Sequence, residues 1–218
     1  MTTASRIAVL VAGVALLTRP VADAQPRLAE PTPPDPAGFK LVERIDTKEN
    51  TILAMDVAAD SRSVAIASGW DMVVWDLKDG KVVSKWGPDK SIISRVKFTD
   101  GGKTLIAPSG SGVKVAVRDA RSGESRGVLD VGDGGLAGLD AAVGEGPIVT
   151  GTSWHLTLWE PRTYRPRWQV DGAFFREVSL SADLSVVAVV LNNGEVRTYR
   201  AADGKELLRV GLTPNRSS

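Results

Sequence analysis

SGWDMVVWD, residues 68–76, and TSWHLTLWE, residues 152–160, set two tryptophans five positions apart in the same frame, at Trp70 and Trp75 and again at Trp154 and Trp159. The two stretches lie 84 positions apart and hold four of the six tryptophans of the 218-residue chain. In the first, Met72, Val73, Val74 and Trp75 are apolar in succession, and Leu156 to Trp159 nearly so. Side chains of a strand alternate between its two faces, so a strand apolar on both must be covered on both. The frame predicts a short strand inside a stack of sheets.

A longer period contains this frame. With Trp75 as reference, the equivalent positions are Arg118, Trp159 and Tyr199, at intervals of 43, 41 and 40 residues. Asp76, Asp119 and Glu160 follow the first three, and five places past each reference stand Gly80, Gly123, Tyr164 and Gly204. Upstream of each reference, two short apolar segments flank a polar turn, as in AMDVAADSRSVAIAS and EVSLSADLSVVAVV. Periods of this size mark stacked supersecondary units, and four short strands per unit point to propeller blades. The expected fold is all-β: four four-stranded blades at about 52–86, 92–130, 136–170 and 175–210, with a leading strand FKLVERI at 39–45, seventeen strands altogether.

Over residues 39–211 the repeats resemble degenerate WD40 repeats. The resemblance implies that the Trp-Asp pair closes the third strand of a blade. It also implies an Asp in the turn between first and second strands, where Asp60, Asp100 and Asp183 stand, while the third unit has AVGEG instead. The family's Gly-His dipeptide is missing from all four units. A second resemblance is to the quinoprotein-type propeller, through DLKDGKVVSKW and TYRPRWQV. There only Trp168 falls at the expected docking position, Ser84, Gly127 and Leu208 occupying the others, and the WD40-like reading is preferred.

The leading strand has no vacancy to fill, because the fourth unit supplies its own outer strand, KELLRV at 205–210. The expectation is therefore an open or incomplete propeller, or a ring shared by two chains, over a self-closed ring of four blades. In an open arc, the face of blade 1 around Val73 and Trp75 and the matching face of blade 4 lack a covering blade. Apolar patches of that kind mark association.

MTTASR leads into IAVLVAGVALL, an uncharged apolar run of eleven residues, and Ala22-Asp23-Ala24 supplies a small-residue cleavage site. This is the three-part secretory signal, residues 1–24, and the run is too short for a stable membrane anchor. Five prolines between 26 and 36 make 25–38 an extended linker, and 212–218 is a short C-terminal tail. The expected location is periplasmic or extracellular. A formal net charge of +1 argues against nucleic acid as partner. With no cysteine and His155 as the single histidine, thiol chemistry and histidine-rich metal sites are excluded.

No motif carries catalysis. GDGGLAG (132–138) has dinucleotide-like glycine spacing but leads into a strand rather than a helix. PSGSG (108–112) lacks the first glycine of a nucleophile elbow, and DVGDGG (130–135) lacks the later ligands of a calcium loop. Trp75 and Trp159 read as blade core. Trp70 and Trp154 fall in the turn between second and third strands, with Asp71, His155, Asn192 and Asn193 in the same or equivalent turns. Exposed tryptophan in a polar surround is a typical interaction anchor. The functional expectation is an exported, non-enzymatic scaffold, with no cofactor or metal, that binds another protein or a second propeller segment, with self-association completing the ring. The alternatives are a quinoprotein-like subunit of an oxidoreductase system and a truncated remnant without independent function.

Overall fold

The computed structural model describes residues 5–9, 43–47, 51–87, 92–172 and 174–211. The linker at 25–38, the tail at 212–218, residues 39–42 of the leading strand and most of the signal segment lie outside the described residues. The chain divides into two compact units, residues 1–52 and 53–218.

In the first unit, β1 (Ser5–Val9) pairs antiparallel with β2 (Glu43–Thr47), Ile7 opposite Ile45. The described part of the leading strand thus runs to Thr47, past its expected end, and pairs with residues assigned to the signal. The added strand makes eighteen among the described residues, one more than the repeat count. Ile7, Val9 and Ile45 are β-branched, the residue type that favours extended backbone.

The second unit is a run of four antiparallel, four-stranded sheets, each a meander of consecutive strands. Blade 1 comprises β3 (Ile52–Val57), β4 (Ser63–Ser68), β5 (Asp71–Asp76) and β6 (Lys81–Trp86). Blade 2 comprises β7 (Lys97–Thr99), β8 (Thr104–Ser109), β9 (Lys114–Asp119) and β10 (Ser125–Asp130). Blade 3 comprises β11 (Leu136–Ala141), β12 (Ile148–Thr152), β13 (His155–Trp159) and β14 (Pro166–Asp171). Blade 4 comprises β15 (Phe175–Leu180), β16 (Val186–Leu191), β17 (Glu195–Arg200) and β18 (Glu206–Gly211). The architecture is all-β and propeller-like, and the series of sheets is open.

The reference position has a structural meaning. In all four blades the pairing of third and fourth strands slips at Trp75, Arg118, Trp159 or Tyr199, a β-bulge at the same place each time. The turn just beyond needs a left-handed residue, and Gly80, Gly123 and Gly204 have φ of 60, 73 and 73°. Tyr164 adopts φ 55° at that site despite its side chain. The acid after the reference closes the same turn: Asp76 Oδ1 accepts from the Lys78 and Asp79 amides at 2.8 and 3.1 Å, and Asp119 Oδ1 from those of Arg121 and Ser122, both at 2.9 Å. Asp60 and Asp183 accept from Arg62 and Ser185 amides in the turns between first and second strands. Asp100, the third member of that set, instead has φ 54° itself.

Apolar cores lie between successive sheets. Met72, Val74 and Trp86 meet Phe98 and Leu105 between blades 1 and 2. Ile106, Val117 and Leu129 meet Leu139, Ile148 and Trp159 between blades 2 and 3. Leu156 and Leu158 meet Phe175, Val187, Val189 and Tyr199 between blades 3 and 4. Among the described residues no such core joins blade 4 to blade 1, so the self-closed ring of four is not the arrangement found. On the outer face of blade 4, Val190, Leu208 and Val210 are exposed. Cross-strand neighbours Trp75 and Val82 on the outer face of blade 1 are half-buried and exposed, respectively. Trp159 is buried, as expected of blade core, whereas Trp75 is covered only in part for want of a neighbouring blade.

Candidate functional site

In a meander, the turns between second and third strands and the links from one blade to the next emerge at the same end. That end carries Trp70, Ile92, Trp154 and Phe174, exposed by 56, 56, 49 and 47%. Among the described residues, the opposite end carries one large exposed apolar side chain, Val143. Among the described residues, four of the five large exposed apolar side chains of turns and links thus lie at one end.

Trp154 is the better-defined of the two tryptophans. Its ring stands 5.5 Å from that of Phe174, tilted by 52°, a geometry that aromatic quadrupoles favour. On its other side, Gly134 approaches so closely that a Cβ there would be 2.7 Å from Cδ1. The backbone fixes both rings. The Phe174 amide donates to Ser153 O at 2.8 Å, Gly172 N to Trp154 O at 2.9 Å, and Asn192 N to Phe174 O at 3.0 Å. Phe174 is held at φ 36°, an unusual value for an aromatic residue. His155, next along, places Nδ1 3.0 Å from Asp171 Oδ1 and 3.1 Å from Gln169 Nε2. Its hydrogen bond is the main cause holding the Asp171 carboxyl below its usual range, with Gln169 adding to it. Asn193 turns away to its own strand, accepting from Glu195 N at 3.0 Å.

Trp70 belongs to a second cluster on the same rim. Gly69 O accepts from Ile93 N at 2.8 Å, which ties the turn to the link leading into blade 2. Asp71 pairs with Lys85 at 3.7 Å, and Gly87 passes so close to the Trp70–Asp71 backbone that it has no room for a side chain. The six residues read from the sequence as binding candidates therefore fall into a Trp70–Asp71 group on blade 1 and a Trp154–His155–Asn192 group across blades 3 and 4, with Asn193 at the margin. Sequence reasoning missed Ile92 and Phe174. Both open a doublet, Ile92-Ile93 and Phe174-Phe175, whose first residue is exposed and second buried. The two doublets are 82 positions apart, close to the spacing of the tryptophan frames, and that repetition is the signal that could have found them.

The first strands hold a further set absent from the sequence reading. Asp56 of blade 1 accepts from Phe98 N of blade 2 at 2.7 Å, and Asp140 of blade 3 accepts from Leu180 N of blade 4 at 2.9 Å. Between them Lys97 reaches Asp140 at 3.4 Å, and Arg95 of the first link meets Glu177 at 3.1 Å. Burial raises the Asp56 carboxyl above its usual range against the pull of Phe98 N–H and Lys97. Among the described residues, no three His, Cys, Asp or Glu side chains are placed to hold a metal ion.

At the seams, large and minimal residues meet. Trp86 lies on Gly123, and Trp168 lies on Gly204 while its Nε1 donates to Ala201 O at 2.9 Å. Between blades 2 and 3 the partners exchange sides: Tyr164, in the turn, lies on Gly127, in the fourth strand. Ser84, at the register of Trp168, donates to Ala120 O at 2.7 Å. No family model matches the sequence, and no curated protein matches it.

Proposed function

We propose that the chain is an exported, non-enzymatic, WD40-like blade series that acts as a protein-interaction platform and completes its ring with a second copy of itself. The observation that carries this reading is an unmatched pair of the kind two of the three seams use. Leu208 of β18, at the register of Trp168 and Gly127, is 55% exposed. Gly80, at the register of Gly123 and Gly204, has nothing within 4 Å of where a Cβ would stand. A copy arranged head to tail brings the Leu208 and Val210 face of one chain onto the Gly80, Val82 and Trp75 face of the next. Two such seams close an eight-blade ring, a size propellers commonly adopt. The rim bearing Trp70, Ile92, Trp154 and Phe174 then faces one way around the ring and offers aromatic anchors to a protein partner.

The quinoprotein-type alternative draws support from Trp168, which docks on Gly204 and Ala201 as that repeat requires. Ser84 and Gly127 stand at the other two seams, so the likeness rests on one seam in three.

Light scattering on the eluting full chain tests the reading. A dimer is expected, reduced to monomer by Leu208→Glu, with the melting transition of the blades kept. A parent chain that runs as a monomer at ~50 μM, where a micromolar association is nearly saturated, overturns it.

A further inference from the structure

Between blades 1 and 2 there is a cleft of about 300 Å³, near the lower limit of sites that hold small molecules. Its origin is legible in the repeat. The blade 2 wall presents the cross-strand pair Ala107 and Ala116. At the same register in the seam between blades 3 and 4 stand the larger Val189 and Arg197. Met72 and Ile93 supply apolar surface opposite the two alanines.

The wall of the cleft also includes a polar group without a partner. Trp86 is more than nine-tenths buried, and its Nε1 has no hydrogen-bond acceptor among the described residues. In the sister seam Trp168 Nε1 donates to Ala201 O, whereas here Ser84 stands at that register and donates to the equivalent Ala120 O at 2.7 Å, and Trp86 enters from two places further along β6. Trp86 Nε1 instead lies against Gly123, where a side chain would come within 2.9 Å of it. A buried donor left unpaired is costly, and an acceptor brought by a ligand removes that cost. The Arg118 guanidinium borders the same space, 5.4 Å over the Trp86 ring and donating to Gly123 O at 3.1 Å.

We propose that this cleft binds a small carboxylate with an apolar body, its carboxylate accepting from Trp86 Nε1 beside Arg118 and its body lying over Ala107 and Ala116. The site does not depend on ring completion or on the aromatic rim.

Benzoate and its neutral counterpart benzyl alcohol, titrated into the ¹⁵N-labelled full chain, test the site. The readout is the Trp86 indole N–H resonance, assigned by its loss in Trp86→Phe. Benzoate is expected to shift that resonance saturably and to bind at least about tenfold more tightly than benzyl alcohol, the factor of one charge-assisted hydrogen bond. Arg118→Met should weaken benzoate by a similar factor. Ala107→Leu should abolish binding by filling the cleft while keeping the other five indole signals in place, which separates loss of the site from loss of the fold. A Trp86 resonance unmoved at ~10 mM benzoate, beyond the range of even a millimolar site, overturns the proposal. So does an equal response to benzyl alcohol, or binding that survives Ala107→Leu.

Discussion

Tyr164 of blade 3 rests its ring on Gly127 of blade 2, leaving no room for a side chain at position 127. Gly127→Ala should cost about 1–3 kcal/mol by forcing the ring out of a packed seam. Tyr164→Gly added to it should recover part of that loss, because it removes the clash and relieves the left-handed backbone of residue 164. Denaturant melts of the two single variants and the double variant give the coupling. Strictly additive losses would show that the ring and the glycine are not partners.

Trp159 and Trp75 share a repeat position but not an environment. Trp159 is buried and donates to Thr150 Oγ1 at 2.8 Å, so Trp159→Ala should cost about 3–5 kcal/mol. Trp75 is half-buried, and Trp75→Ala should cost about 1–2 kcal/mol of blade stability. If the ring closes through a second copy, Trp75→Ala should also weaken the dimer. Melting followed at dilute and concentrated protein separates the two effects.

Two aspartates should respond to acid in opposite senses. The Asp119 carboxyl is held down to about 2, chiefly by the Ser122 amide and also by Arg126. Its native form binds a proton less tightly than the unfolded chain does. Its stabilisation is therefore complete above about pH 4 and disappears as the pH falls toward 2. Asp119→Asn should cost about 1 kcal/mol at neutral pH, a value kept small because the group is partly exposed, and nothing at the acid limit. Asp56 is raised by burial, so its native form binds a proton more tightly, and its contribution improves as acid neutralises it. Asp56→Asn should be no less stable than the parent at pH 7, with any advantage vanishing in acid. Urea melts across this range check both signs, and parallel pH profiles for the two variants would contradict this account.

The rim makes an optical prediction. Trp70 and Trp154 are half-exposed, whereas Trp86 and Trp159 are buried. Acrylamide should quench a distinct accessible fraction of the fluorescence, and Trp70→Phe with Trp154→Phe should remove most of it. A protein partner seated on the rim should protect the same fraction.

The strand grammar was plain in the sequence because it rests on local chemistry. Short apolar strand segments and a left-handed residue five places past the reference repeat four times, an acid follows the reference in the first three units and closes the turn in the first two, and each has a local cause. The seams were less legible, because a seam is satisfied by pairs that lie about 40 residues apart. Gly127 in a docking position and Tyr164 in a glycine position each read as a departure from pattern, yet together they form one complementary contact. Asp56 and Asp140 escaped notice for the same reason: each caps the first strand of the next blade, which no short window of sequence contains. At the rim, tryptophan attracted attention by its rarity, while Ile92 and Phe174 resembled ordinary strand beginnings.

Blades 2 and 3 are covered on both faces, and blades 1 and 4 have a neighbouring blade on one side only. In such a one-dimensional array each unit is stabilised by its neighbours, so opening begins where a neighbour is missing. Every residue of β18 is exposed, whereas β8 and β12 are buried throughout. The amides of β17 and β18 should therefore exchange with deuterium through local fraying, ahead of a slow central pair of blades that opens only with global unfolding. A second chain laid against the fourth blade would erase that gradient, making the protection of an outermost strand a direct gauge of whether the run of blades has an end.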